Sequence, residues 1–130
     1  MILKTVAAFL NSDGGTLLIG VDDDGQILGL ASDYSTFGKR PDKDGYENWL
    51  TSLILEHISK TVSPYIRIRF YAFAGQEICH VNVQKAQKPV FVKEKTKDGT
   101  GEVFYVRANN TTRTLTPSET STYCLEKWRQ

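Results

Sequence analysis

The stretch KTVAAFLNSDGGTLLIGVDDDGQILGL, residues 4–30, decides the fold, because it reads in order as helix, glycine turn, strand, tight turn and strand. Leu3, Val6, Ala7 and Leu10 fall at helical spacing and predict an amphipathic first helix. It ends between Asn11 and Gly15, where Gly14 and Gly15 supply the positive backbone dihedrals of a helix C-terminus. Thr16 to Val21 is a dense, partly β-branched apolar run, and Asp24-Gly25 is the dipeptide of a two-residue hairpin loop. Such a loop sets Val21 opposite Leu28, Ile19 opposite Leu30 and Gly20 opposite Gly29. Facing glycines answer either a close approach between a helix and the sheet or the approach of a ligand to the backbone.

Working outward, 130 residues with 40% hydrophobic content suffice for one domain with its own core, over residues 1–130, and not for two. No run reaches the length of a membrane span and no cleavable leader is present, which makes a soluble, cytoplasmic protein the expectation. Cys79 and Cys124 lack CxxC spacing and are expected as buried, reduced thiols. Charge is uneven: residues 1–59 carry a net −5 and residues 60–130 a net +6. A basic side attracts phosphate, unless the fold interleaves the two halves and mixes their charges.

Residues 32–45 read as a loop, and Tyr46, Trp49, Leu50, Leu53, Ile54 and Ile58 as the stripe of a helix ended by Ser63-Pro64. His57 on that helix has no metal-ligand companion in its spacing. From Ile66 the period becomes two. With Gly75-Gln76 as the hairpin loop, Ile68, Phe70, Ala72, Cys79, Val81 and Val83 form a core face. The opposite face then carries Arg67, Arg69 and Tyr71 against Gln84, Asn82 and His80, with Phe73 and Ile78 beyond them. Lys85, Lys88, Lys93, Lys95 and Lys97 follow as a basic edge, which also serves to keep a sheet edge from aggregating. Residues 97–101 read as a turn, Glu102 to Ala108 as a strand, and Asn109 to Arg113 as a polar loop. Thr116-Pro117-Ser118-Glu119 is a capping box that opens a last helix through Tyr123, Leu125 and Trp128.

The order of these motifs resembles the Schlafen AlbA-type domain: a helix closed by Asn11 and Gly14-Gly15, LLIGVDDDGQILGL at 17–30, KPVFVKEK at 88–95, FYVRANNTTRTL at 104–115 and a glutamate in the closing helix. The likeness runs from about residue 3 to the end. It implies an α+β fold, here a mixed, largely antiparallel sheet of hairpins with about three helices packed on it. It also implies a nucleic-acid-binding or ATP-binding module of bacterial transcription regulators or helicase-like proteins. Some eukaryotic relatives are RNA nucleases that use three carboxylates, one of which matches Asp22 or Asp23. The other two, glutamates upstream of the first helix, have no counterpart, so this chain by itself is not expected to be a nuclease. The start at the helix itself points to a domain excised from a longer protein with further domains.

No GxxxxGK[ST] or GxGxxG motif is present, and Gly14-Gly15 follows a helix rather than opening one, which disfavours phosphate there. The leading expectation is binding of DNA or RNA, largely through backbone phosphates, by Arg67, Arg69, Lys85, Lys88, Lys93, Lys95, Arg107 and Arg113, with Tyr71 stacking on a base. The alternative is a nucleotide- or metal-dependent domain, with ATP or Mg2+ at Asp22, Asp23 and Asp24, completed by missing N-terminal residues or by a second subunit; a solvated turn explains the same aspartates. A homodimer is a third expectation, with Val90 to Val92 as its apolar edge.

Overall fold

The computed structural model describes residues 2–22, 24–30, 42–97 and 99–129. Its helices are α1 (Ile2–Leu10), α2 (Lys43–His57) and α3 (Pro117–Lys127), with a short 3-10 helix at Lys60–Tyr65. Its strands are β1 (Gly15–Ile19), β2 (Ile66–Phe73), β3 (Gln76–Val83), β4 (Val92–Thr96), β5 (Gly99–Val103), β6 (Tyr105–Ala108) and β7 (Thr111–Thr114). They make a three-stranded sheet in the order β1-β3-β2 and two separate hairpins, β4-β5 and β6-β7, all antiparallel. The fold is α+β, as expected. Among the described residues no helix is long and apolar enough to cross a membrane.

Helix α1 is the hub. Thr5 through Leu10 are all buried, more than one amphipathic stripe requires, because the helix touches β1 and β3 as well as β4, β6, β7 and α2. Leu10 of the helix joins Leu30, Leu50, Ile54, Val62, Val81 and Val92 as fully enclosed residues of one continuous core. The helix closes where Gly14, at φ +79°, donates its N–H to the Phe9 carbonyl. Gly15 differs from expectation. It has no positive φ, and it is glycine because a Cβ there would lie 2.7 Å from the Phe9 ring.

The first hairpin also departs from its expected register. Asp22 Oδ1 accepts the N–H groups of Asp24 and Gln26, at 2.9 and 2.8 Å, and spreads the loop beyond two residues. Val21 therefore bridges Ile27 instead of Leu28, and β1 takes β3 as its ladder partner. Gly20 (φ +98°) and Gly29 (φ +75°) do meet, as expected, and they meet by packing. A Cβ on Gly20 would sit 3.3 Å from the Gly29 carbonyl oxygen and one on Gly29 3.0 Å from the Gln76 side chain, so the close approach is within the hairpin and to β3 rather than to a helix.

In the β2-β3 hairpin the loop is Ala74-Gly75, with both φ positive (53° and 80°), so Phe73 pairs with Gln76 and Phe70 with Cys79. The ladder is displaced by one residue on each strand, which preserves the sides: Ile68, Phe70, Cys79, Val81 and Val83 still face inward, joined by Ile66, whereas Ala72, expected in the same core face, pairs with Glu77 near the turn and is exposed.

Helix α2 starts at Lys43, where Asp42 caps the Gly45 N–H at 2.9 Å, and ends at His57. Pro64 lies inside the 3-10 helix that follows, not at the end of α2. The expected 102–108 strand is cut at Phe104 into β5 and β6, which serve different hairpins. Residues 99–101 and 111–113, read as turn and loop, are ladder strands. The capping box of α3 is present as read, with Glu119 N–H to Thr116 Oγ1 and Thr116 N–H to Glu119 Oε1. Of the run expected as an apolar dimer edge, Val90 and Val92 are buried in the chain's own core and Phe91 is half-buried. Cys79 is buried and Cys124 half-buried; both are free thiols. The expected loop at 32–45 lies, up to Pro41, outside the described residues.

Candidate nucleic-acid interface

The β1-β3-β2 sheet has α1 and α2 on its inner side. On its outer side the registers align three rows across the strands. Thr16, Asn82 and Arg67 make the first, Leu18, His80 and Arg69 the second, and Ile78 and Tyr71 the third, with Phe73 beyond Tyr71 at the turn. Side chains two apart on a strand stand about 6.8 Å apart and neighbouring strands about 4.8 Å apart. The rows therefore form one continuous surface. None of its members is a carboxylate.

Arg67, Arg69, Tyr71 and Phe73 are exposed on it, Phe73 to 62% and Tyr71 to 48%. Neither guanidinium makes a hydrogen bond or ion pair with any described residue. Tyr71 meets His80 edge-on, with ring centroids 5.7 Å apart. His80 Nδ1 is buried with no hydrogen-bond partner among the described residues, in the middle row of the face.

The other expected cations do not join this surface. Lys85 and Lys88 are exposed on the segment after β3, and Lys88 borders a cavity of about 410 Å³ with Tyr65, Ser59 and Glu102. Lys93 and Lys95 project from the β4-β5 hairpin, Lys93 in register with Glu102. Arg107 is committed to the fold. Its Nη1 donates to Thr112 Oγ1 at 2.7 Å, its Nη2 to the Asn110 carbonyl at 2.8 Å, and its guanidinium lies 5.2 Å from the Phe9 ring centroid. Arg113 is exposed on β7, its Nε donating to Thr111 Oγ1 at 3.3 Å.

Asp22 serves its own turn through Oδ1, as described, and Asp23 lies outside the described residues. Among the described residues no cluster of three or more His, Cys, Asp or Glu side chains is arranged to hold a metal ion.

A structural cluster that sequence reasoning did not single out lies just after α1. Asn11 is fully buried; its Nδ2 donates to the carbonyls of Val90 (2.8 Å) and Tyr105 (2.9 Å) and its Oδ1 accepts the Val90 N–H at 2.9 Å. Ser12 Oγ accepts the Arg107 N–H at 2.9 Å, and Lys127 donates to Asp13 at 2.6 Å. Three consecutive side chains thus tie α1 to the chain at residues 90, 105, 107 and 127. The Lys127 hydrogen bond, then its charge, holds the Asp13 carboxyl below the usual range. Tyr105 donates to Glu94, and burial first, then that carboxylate, pushes its hydroxyl pKa well up. On the sheet's other partners, the missed members of the outer face were Thr16 and Leu18. Only the β1-β3 ladder brings them there, and an apolar run such as TLLI carries no alternation to reveal it.

Comparison with known proteins agrees with this architecture. The crystal structure of the DIP2311 protein from Corynebacterium diphtheriae superposes with a TM-score of 0.61 at 21% identity, over 97% of this chain and 19% of that one. The chain thus spans about a fifth of that protein, and the likeness is one of fold. No curated protein matches. The family model described as Schlafen, AlbA_2 matches residues 1–116. With the helix, the glycine turn and the LLIGVDDDG and YVRAN sequences all inside that match, the chain belongs to the Schlafen AlbA_2 family.

Proposed function

We propose that this chain binds nucleic acid through the outer face of the β1-β3-β2 sheet. The observation that carries this is the composition of the face: Arg67 and Arg69 exposed and unpaired among the described residues, Tyr71 exposed beside them, and no carboxylate in any row. Cations without a hydrogen-bonded or ion-paired partner among the described residues keep an attraction for phosphate, and displacing counterions from a polyanion makes the binding salt-dependent. Asn82, Thr16 and His80 add donors and acceptors for sugar or base edges. Contacts to phosphate predominate, so sequence preference is weak.

The test is fluorescence anisotropy with mixed-sequence DNA and RNA oligomers across a salt series. Affinity is expected to fall with salt, with a slope of about 0.7 to 0.9 for each phosphate neutralised. Arg67→Ala with Arg69→Ala should reduce both the affinity and that slope. Undetectable binding at low salt ends the proposal, as does a slope unmoved by the double substitution.

A further inference from the structure

We infer that the strand this face takes is single-stranded, held by base stacking on Tyr71 and Phe73. The inference rests on the nucleic-acid reading of the same face and specifies its ligand. Phe73 was not among the binding residues expected from sequence, yet it is one of the most exposed large apolar side chains, at 62%, and Tyr71 shares its side of β2 two residues away. Two aromatic residues two apart on one strand, spaced about 6.8 Å along it and open to solvent, make a surface for flat apolar groups.

In a duplex every base is already stacked and paired, and only its edges are offered in the grooves, so these rings have nothing there to cover. In a single strand the base faces are available, and a sheet bearing aromatics beside cations is the general solution for holding them. The duplex alternative is a two-stranded ribbon entering the major groove, since β2 and β3 run past the end of β1 at Phe73 and Gln76. The tip of that ribbon is Phe73-Ala74-Gly75-Gln76, without the Arg or Lys that groove entry against phosphate demands. The cations sit at the opposite end of the strand. Arg67 and Arg69 are therefore placed for phosphates, and Tyr71 and Phe73 for the bases that precede or follow them.

The experiment compares one mixed 12-mer, as RNA and as DNA, free and annealed to its complement, against wild type, Phe73→Ala, Tyr71→Ala and the Arg67→Ala, Arg69→Ala pair. Both aromatic positions are exposed, and circular dichroism with thermal melting checks that the variants fold. The single strand should bind at least tenfold tighter than the duplex and quench tyrosine fluorescence. Each aromatic truncation should weaken it roughly 5- to 150-fold, the span of one lost base stack, while leaving duplex binding unchanged. Equal affinity for both forms, or neutral aromatic variants alongside a damaging arginine pair, overturns the single-strand inference and leaves nucleic-acid binding standing. Absence of any binding removes both. A dimer in sedimentation that Phe73→Ala dissolves, with nucleic-acid affinity unchanged, assigns the rings to self-association and likewise overturns the inference.

Discussion

The two halves of the molecule use their polar residues in opposite ways. Around β6, β7 and the C-terminal helix nearly every named polar group has an internal partner: Arg107 on Thr112 and Asn110, Tyr105 on Glu94, Lys127 on Asp13, Asn11 on Val90 and Tyr105. On the outer face of β1-β3-β2, Arg67 and Arg69 have none among the described residues and no acid shares their rows. Charge counted along the sequence puts all these cations in one class. What separates them is whether the fold has already used them. Four substitutions probe that division, the first two on the engaged half and the third on the open one.

The largest effect is expected at Asn11. Asn11→Ala leaves one buried N–H and two buried carbonyls without their partner. Unsatisfied buried groups cost about 1–3 kcal/mol each and relaxation recovers part, so a loss of about 3–4 kcal/mol is expected. The urea midpoint measures it. Asn11→Asp should be nearly as damaging, since a carboxylate keeps the acceptor for Val90 N–H and turns both donors into repulsion. A loss under about 1 kcal/mol would show that the tie is incidental to the fold.

Arg107 comes next. Arg107→Ala removes two hydrogen bonds and the stack on Phe9, and should cost about 2 kcal/mol of stability. Among folded molecules nucleic-acid affinity should barely change. An affinity loss equal to that of Arg69→Ala would dissolve the division between engaged and open cations, and would move the binding surface toward β6.

How much of this was legible beforehand follows the same line. The helices and the inward side of β2 and β3 were readable because apolar period and capping residues are local signals; Thr116 to Glu119 is the plainest case. The outer-face residues Arg67, Arg69, Tyr71 and Phe73 were placed together even though the loop was misplaced by one position. A shift of one residue on both strands changes partners and keeps faces. The error itself came from Ala74, since alanine at φ 53° is a conformation its side chain disfavours.

The β1-β3 pairing was not readable. Asp24-Gly25 advertises a local hairpin, and nothing in TLLI marks one side as outward, so the long-range ladder had no competing signal. β7 was missed for the converse reason: TTRT is polar on both sides and buries little. Asn11 looked like a helix stop because its amide's three partners lie 79 and 94 residues away, beyond any pattern in the neighbouring sequence.

On the open face, Arg69→Ala should leave stability within about 0.5 kcal/mol, as for any surface change without a partner. Its affinity for an oligomer at low salt should drop by about 1 kcal/mol, with the salt slope reduced by a little under one unit. Anisotropy and urea unfolding on the same preparation read both. A stability loss larger than the affinity loss would mean that Arg69 is engaged after all and that the face is less open than its register implies.

The smallest effect tests the engaged half at its margin. Asp13 is 90% exposed while Lys127 is 21% exposed, so most of their attraction is screened by water and the pair should contribute under about 0.5 kcal/mol. The Asp13 carboxyl titrates lower in the folded chain than in the unfolded one. Its contribution is therefore complete above the unfolded carboxylate pKa, near 4, and is lost as pH falls through the folded value. Asp13→Asn should lie slightly below wild type at neutral pH and converge with it under acid conditions, in urea midpoints taken from pH 7 downward. A difference that persists or grows in acid would mean that Asp13 acts through its contacts rather than its charge, as Asn11 does two residues earlier.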